Sequence, residues 1–315
     1  MNPASQIAFV FPGQGSQSVG MLAELSTRHG MFAQTYAEAS AVLGYDLSDI
    51  ISNGPESELN RTEVTQPALL AAGVAVWRIW LQANGQKPAY MAGHSLGEYT
   101  ALVCAGVLKF TDAVGLVRDR GRYMQQAVPA GVGGMAAILG LDSSTIVKLC
   151  IEATATEIVS AANYNSPEQT VIAGNANAVA RAAELCKAAG AKRVILLPVS
   201  VPSHCALMNS AAMQLELRLE QIEFGQPQIP VVQNIDAQIR NSAVEIKSAL
   251  VQQLHQPVRW VDTIKRLAEL QCRTIIECGP GKVLTGLIKR IDREITAVAI
   301  NDTASFEQIL KETQI

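Results

Sequence analysis

Along this chain, short apolar runs alternate with longer stretches of helical period. Ile7-Ala8-Phe9-Val10-Phe11, Ala89-Tyr90-Met91-Ala92, Val231-Val232-Gln233-Asn234 and Thr274-Ile275-Ile276-Glu277-Cys278 have the length and β-branched or aromatic content of buried strands. Between and after them, residues 21–43, 66–80, 98–106, 112–128, 205–222, 243–254 and 260–270 read as helices, Thr111-Asp112 offering a cap for the fourth. Residues 66–80 are apolar nearly all round, so that helix belongs inside the protein. A last strand at 297–300 and a helix at 305–310 close the pattern. Buried strands alternating with helices predict an α/β fold with a mostly parallel sheet.

From Pro129 the pattern changes. Gly131-Val132-Gly133-Gly134 reads as a hinge, followed by strand 135–139, helix 143–154 and strand 158–162. A turn at Asn163-Tyr164-Asn165-Ser166-Pro167 leads to strand 169–173, helix 176–189 and strand 193–199. That order, βαββαβ, is the ferredoxin-like split motif. Residues 129–199 are therefore expected to form an inserted subdomain, with 1–128 and 200–315 as the core, and to wall a cleft.

The chemistry concentrates at Gly93-His94-Ser95-Leu96-Gly97, a G-x-S-x-G pentapeptide placed between a strand and a helix. A tight turn there exposes the Ser95 hydroxyl and leaves the N–H of Leu96 free to donate to an oxyanion. Glycines at 93 and 97 fit because a side chain at either would collide with strand or helix. A serine hydroxyl needs a base, and the chain has four histidines. His29 reads as a surface residue, and His94, pointing away from Ser95, as a packing residue. His255, at a helix end, stays open. His204, after Pro202-Ser203 at the subdomain junction, is the favoured base. Gln14, in the loop Pro12-Gly13-Gln14-Gly15-Ser16-Gln17, sits where an α/β sheet binds ligands, though a solvated turn explains that loop equally well. Ser18 stands where a dinucleotide fingerprint needs its third glycine, and no Walker lysine follows. Gly279-Pro280-Gly281-Lys282 could hold a phosphate at a helix start, but close strand-to-helix packing is the preferred reading.

Composition narrows the classes. The 315 residues carry a net charge of −3, which gives no general affinity for nucleic acid. Six scattered cysteines without a C-x-x-C pair give neither zinc spacing nor a disulfide framework; Cys205, beside His204, reads as core. No secretory signal opens the sequence and the longest apolar stretch is too short to span a bilayer, so a cytoplasmic protein that does not bind membranes is expected.

Five elements in this order, Phe9-Val10-Phe11-Pro12-Gly13-Gln14-Gly15-Ser16-Gln17, Gly93-His94-Ser95-Leu96-Gly97-Glu98-Tyr99, Arg120-Gly121, Pro202-Ser203-His204 and Glu277-Cys278-Gly279-Pro280-Gly281, resemble the malonyl-CoA:acyl carrier protein transacylases of bacterial fatty acid synthesis, nearly end to end. The resemblance implies an α/β-hydrolase-like core with a ferredoxin-like insertion. It implies Ser95 as the acylated nucleophile, His204 as general base, Gln14 and the Leu96 N–H as oxyanion donors, and Arg120 as partner of the malonyl carboxylate. The backbone carbonyl of Gln253 would orient the histidine. Sequence by itself does not choose Arg120 over Arg118. The resemblance also implies no metal and no cofactor, with malonyl-CoA and the phosphopantetheine arm of acyl carrier protein as substrates. A monomer is the default, and Lys192, Arg193, Lys282, Lys289 and Arg290 are expected to dock the acidic carrier. A serine thioesterase, or a non-catalytic acyl-binding module, would share much of this pattern.

Overall fold

The computed structural model describes residues 6–129, 131–197 and 201–313. Among the described residues nine strands are formed: β1 (Gln6–Phe11), β2 (Tyr90–Gly93), β3 (Gly133–Leu139), β4 (Val159–Ser166), β5 (Gln169–Asn175), β6 (Arg193–Leu196), β7 (Val231–Val232), β8 (Cys272–Cys278) and β9 (Thr296–Ile300). Five of them build a sheet in the order β7-β2-β1-β8-β9, with every pairing parallel. Being central, β1 is buried on both faces, and its side chains divide by the period of two. Ile7, Phe9 and Phe11 join the core under helix Thr62–Gln82, where Phe9 meets Trp77 and Trp80 edge-on. Ala8 and Val10 join the opposite core with Trp260, Ile264 and Leu287. Helix Thr62–Gln82 has the length and apolarity of a membrane span, yet 89% of its apolar window lies inside the fold.

The other four strands form an antiparallel sheet, β4-β5-β3-β6, backed by helices Ser143–Ala153 and Ala176–Ala188. In chain order the unit is βαββαβ, the ferredoxin-like arrangement, with Ile138, Ile146, Ile172 and Val179 in its core.

Several sequence expectations are corrected in detail. The stretch 21–43 is two helices, Ala23–Arg28 and Met31–Leu43, because the chain turns extended at His29 before Gly30. The helix expected from Thr111-Asp112 is Phe110–Ala127; Lys109 occupies its cap position without a side-chain bond, and Asp112 lies in its first turn. The expected turn at 163–166 is strand. There β4 continues to Ser166 with irregular register, held from the other side by Tyr164 N–H to Val258 O (2.9 Å) and Val258 N–H to Ala162 O (2.8 Å). Main-chain partners on a distant segment outweighed the local turn signal. The outlying strand 193–199 is formed over Arg193–Leu196, with residues 198–199 outside the described residues.

Candidate active site

Because the five-stranded sheet is parallel, the C-terminal ends of β1, β2, β7 and β8 open at one edge. The elbow leaves β2 there. Ser95 has φ 52° and ψ −108°, a left-handed φ that a side-chain-bearing residue holds only when its surroundings impose it. The flanking glycines are required by close approach: a Cβ on Gly93 would stand 1.9 Å from the Gly97 carbonyl carbon, and one on Gly97 2.0 Å from Phe11 O. Helix Leu96–Cys104 begins immediately after Ser95. The Leu96 N–H therefore belongs to the first turn, whose donors have no intrahelical acceptor. Beside it, Phe11 O accepts from His94 N–H (3.0 Å) where the chain leaves β1, and the exposed Gln14 follows three residues on.

His204 reaches this serine from the far side of the insertion. Its Nε2 lies 2.8 Å from Ser95 Oγ, and its Nδ1 lies 2.6 Å from the main-chain oxygen of Gln253. A carbonyl only accepts, so Nδ1 carries the hydrogen and Nε2 is left to accept from the serine. The backbone of His204 is itself in the left-handed region (φ 61°), its N–H bonded to Leu254 O (3.1 Å), so helix Ala243–His255 grips both its ring and its main chain. Burial, then the Arg120 charge, push the His204 imidazole down to about 3. It is therefore neutral near pH 7, the form that can take a proton from Ser95.

Arg120 is wholly buried on helix Phe110–Ala127. Nη1 donates to Gln66 Oε1 (2.7 Å), and Nη2 to Gln253 Oε1 (3.0 Å) and, at 3.4 Å, toward Ser95 Oγ. The guanidinium also lies over the Tyr99 ring, 5.3 Å from its centroid. Its hydrogen-bond acceptors among the described residues are thus neutral oxygens. Desolvation lowers its pKa, the direction expected for a cation buried without a carboxylate in contact. The neighbouring Arg118 instead pairs with Asp119 at 2.8 Å.

Ser95, His204, Arg120 and Gln253 are therefore joined directly; Leu96 adjoins them, and Gln14 lies on the neighbouring loop. Of the remaining histidines, His94 is half-buried beside the elbow, Nε2 2.8 Å from Asn165 Oδ1 and edge-on to Trp260. His29 lies edge-on to Phe306, and His255 ends its helix. Cys205 Sγ donates to Pro202 O (3.2 Å), and burial pushes its thiol up to about 11, as suits a core residue. Among the described residues, the helix start after the Gly279–Lys282 loop is already occupied by a carboxylate. The buried Glu277 carboxylate already accepts from Leu284 N–H (3.0 Å) and Thr285 N–H (2.7 Å).

Three buried polar residues escaped the sequence reading: Gln66, Glu98 and Asn234. Their signal was available. Gln66 starts an otherwise apolar run, Glu98 is the only charge in the elbow helix, and Asn234 sits at the C-terminal end of a parallel strand. A polar residue fully inside an apolar element must have partners.

The acyl transferase domain family matches residues 8–307. The "Malonyl CoA-acyl carrier protein transacylase" of Salmonella typhimurium is 56% identical over 306 residues, covering 97% of this chain and 99% of that one; the Bacillus subtilis protein of the same name is 44% identical over 312 residues, 98% of each. Among solved structures, a malonyl-transacylase in complex with its type II PKS acyl-carrier protein has TM-score 0.97 and 56% identity, covering 98% of this chain and 100% of that one. An acyl carrier protein S-malonyltransferase from Vibrio cholerae has TM-score 0.95 and 55% identity, covering 97% and 100%. With fold, elbow and sequence agreeing along nearly the whole length, the chain belongs to the malonyl CoA-acyl carrier protein transacylase family, the S-malonyltransferases of fatty acid synthesis.

Proposed function

We propose that this protein moves the malonyl group of malonyl-CoA to the phosphopantetheine thiol of acyl carrier protein through an ester on Ser95. The observation that carries this reading is the pairing of a serine–histidine contact of 2.8 Å with a buried arginine, 3.4 Å from the same hydroxyl, that among the described residues has only neutral oxygens as acceptors. Such a guanidinium is suited to an incoming carboxylate, which it can grip with two parallel donors. In the first half-reaction Ser95 Oγ attacks the thioester carbonyl while His204 Nε2 takes its proton. The tetrahedral oxyanion is stabilised by Leu96 N–H and Gln14. Collapse breaks the C–S bond, and His204 returns the proton to the departing CoA thiolate. In the second half-reaction His204 deprotonates the carrier thiol, which attacks the ester and restores Ser95 Oγ–H. In this reading residues 129–199 are the inserted subdomain facing a core of 1–128 and 200–315, and the reaction is cytoplasmic.

Mass spectrometry after incubation with malonyl-CoA is expected to find one malonyl adduct on Ser95, absent from Ser95→Ala, that passes to added holo carrier protein. An adduct cleared by water before the carrier can take it would favour a hydrolase. No adduct at all would favour a binding module.

Carrier docking is assigned to exposed cations on neighbouring elements. Lys282 precedes helix Val283–Ile291, Lys289 and Arg290 lie in its last turn, and Arg290 Nη1 reaches Gln169 Oε1 (3.1 Å) at the β4–β5 turn. Arg193 opens β6 nearby and Lys192 precedes it, Lys192 pairing with Glu168 of the same turn at 3.2 Å. Reversing Lys289 and Arg290 to glutamate is expected to raise KM for the carrier about tenfold, more at low salt, while acylation by malonyl-CoA is unchanged. A KM for the carrier insensitive to both changes would remove this surface from consideration.

A further inference from the structure

Glu98 is a fully buried acid one turn beyond Ser95. It does not touch His204, whose Nδ1 is bound to Gln253 O, so it is not a third member of a catalytic triad. Its oxygen Oε2 accepts two hydrogen bonds, from the main-chain N–H of Asn234 (3.0 Å) and from Nε2 of Gln253 (3.0 Å). Each of those residues in turn grips the elbow. Asn234 Oδ1 accepts from Ser95 N–H (2.7 Å), and its Nδ2 donates to Gly93 O (2.6 Å). Gln253 Nε2 donates to Ser95 O (3.0 Å), its Oε1 accepts from Arg120, and its main-chain oxygen holds His204.

We propose that Glu98 is a positioning residue for acyl transfer: a single carboxylate oxygen ties Asn234 to Gln253, and so fixes Ser95 from both sides together with the amide that faces Arg120. The inference rests on the Ser95 reading above. A strained φ survives only where several contacts determine it, and here both clamps on the Ser95 backbone converge on one atom. The cost of the arrangement is visible. Oε1 is buried without a partner among the described residues, and burial, opposed by the two bonds and by Arg120 and Arg240, pushes the acid up to about 7. An apolar residue would avoid that cost and would leave the Asn234 N–H and the Gln253 amide without an acceptor.

The test compares Glu98→Ala, Glu98→Gln and Glu98→Asp with the unaltered enzyme, following Ser95 acylation by malonyl-CoA and acetyl-CoA with rapid quench, and melting temperature in parallel. A displacement near 1 Å can cost about a hundredfold in rate, so Ala and Asp are expected to lose roughly thirtyfold or more in kcat with KM little changed, malonyl transfer losing more than acetyl. The glutamine variant keeps an acceptor oxygen at the same reach and is expected to stay within about threefold, well under the tenfold that 1.4 kcal/mol represents. Should the alanine variant not fold, aspartate decides the matter, since it keeps a buried acid but withdraws it by one methylene. Folded variants with unchanged kcat, losses that track melting temperature alone, or a glutamine variant as slow as alanine would overturn the proposal. Failure of the Ser95 reading would look different: the unaltered enzyme itself would carry no malonyl adduct.

Discussion

Replacing His204 by alanine is expected to slow Ser95 acylation by roughly ten-thousandfold while the malonyl-CoA affinity holds, because the ring is the only base within reach of Oγ among the described residues. Single-turnover quench with malonyl-CoA measures it; a loss below tenfold would mean that another group takes the proton. The same histidine sets a pH signature. With its folded value pushed down to about 3, His204 stays neutral far below the pH at which an exposed imidazole would charge. The acid limb of the acylation rate should therefore not be a histidine limb near 6.5. The linkage sign follows from the same shift. Between about 3 and 6.5 the unfolded chain binds a proton on this histidine that the folded chain does not, so its contribution is fully present above 6.5 and is lost as pH falls toward 3. Glu98 acts oppositely. Raised to about 7, it favours folding below its ordinary value of 4.5, and that contribution is lost as pH rises through 7. Glu98→Gln should remove this second slope from a pH series of denaturation midpoints, and His204→Ala the first.

Arg120→Ala is expected to depress malonyl transfer by about a hundred- to a thousandfold and acetyl transfer by less than about tenfold, the range measured when one side of a buried charge pair is truncated. The physical basis is that the guanidinium is already dehydrated, so the desolvation cost of a charge pair has been met for one partner before the substrate arrives. Arg120→Lys tests the geometry rather than the charge. A lysine cannot offer two parallel donors, or donate to Gln66 and Gln253 from the same plane, and should recover only part of the malonyl rate. Equal losses for the two acyl groups would show that this arginine does not read the carboxylate.

Gln66 shows how far the local signal reaches: it marks a buried polar residue that needs a partner, and not which partner. Nothing local marks the fifth residue of an apolar helix as the partner of an arginine 54 positions away. The same holds for Asn234, whose bond to Ser95 spans 139 residues. Elements with a strong period were legible: the uncharged β1, helix Thr62–Gln82, and the βαββαβ order of the second sheet. Their signal is carried by neighbouring residues, each contributing to burial on its own. The elbow was legible as well, since two glycines, a serine and the change from strand to helix lie within a few residues.

The tertiary structure decided what no neighbouring residues could. It continued β4 through the apparent turn at 163–166, because Val258 supplies main-chain partners there. It gave Arg118 a carboxylate and left Arg120 with amides. It brought the Gln253 carbonyl to His204 and the Glu98 carboxylate to Asn234, contacts that depend on which strand ends share an edge of the sheet. By itself the sequence determined the periods, the turn that presents Ser95 and, through the resemblance, the candidate residues. Hydrogen bonds are directional and reach about 3 Å, so which polar groups meet is settled only once the parallel sheet has brought distant segments together.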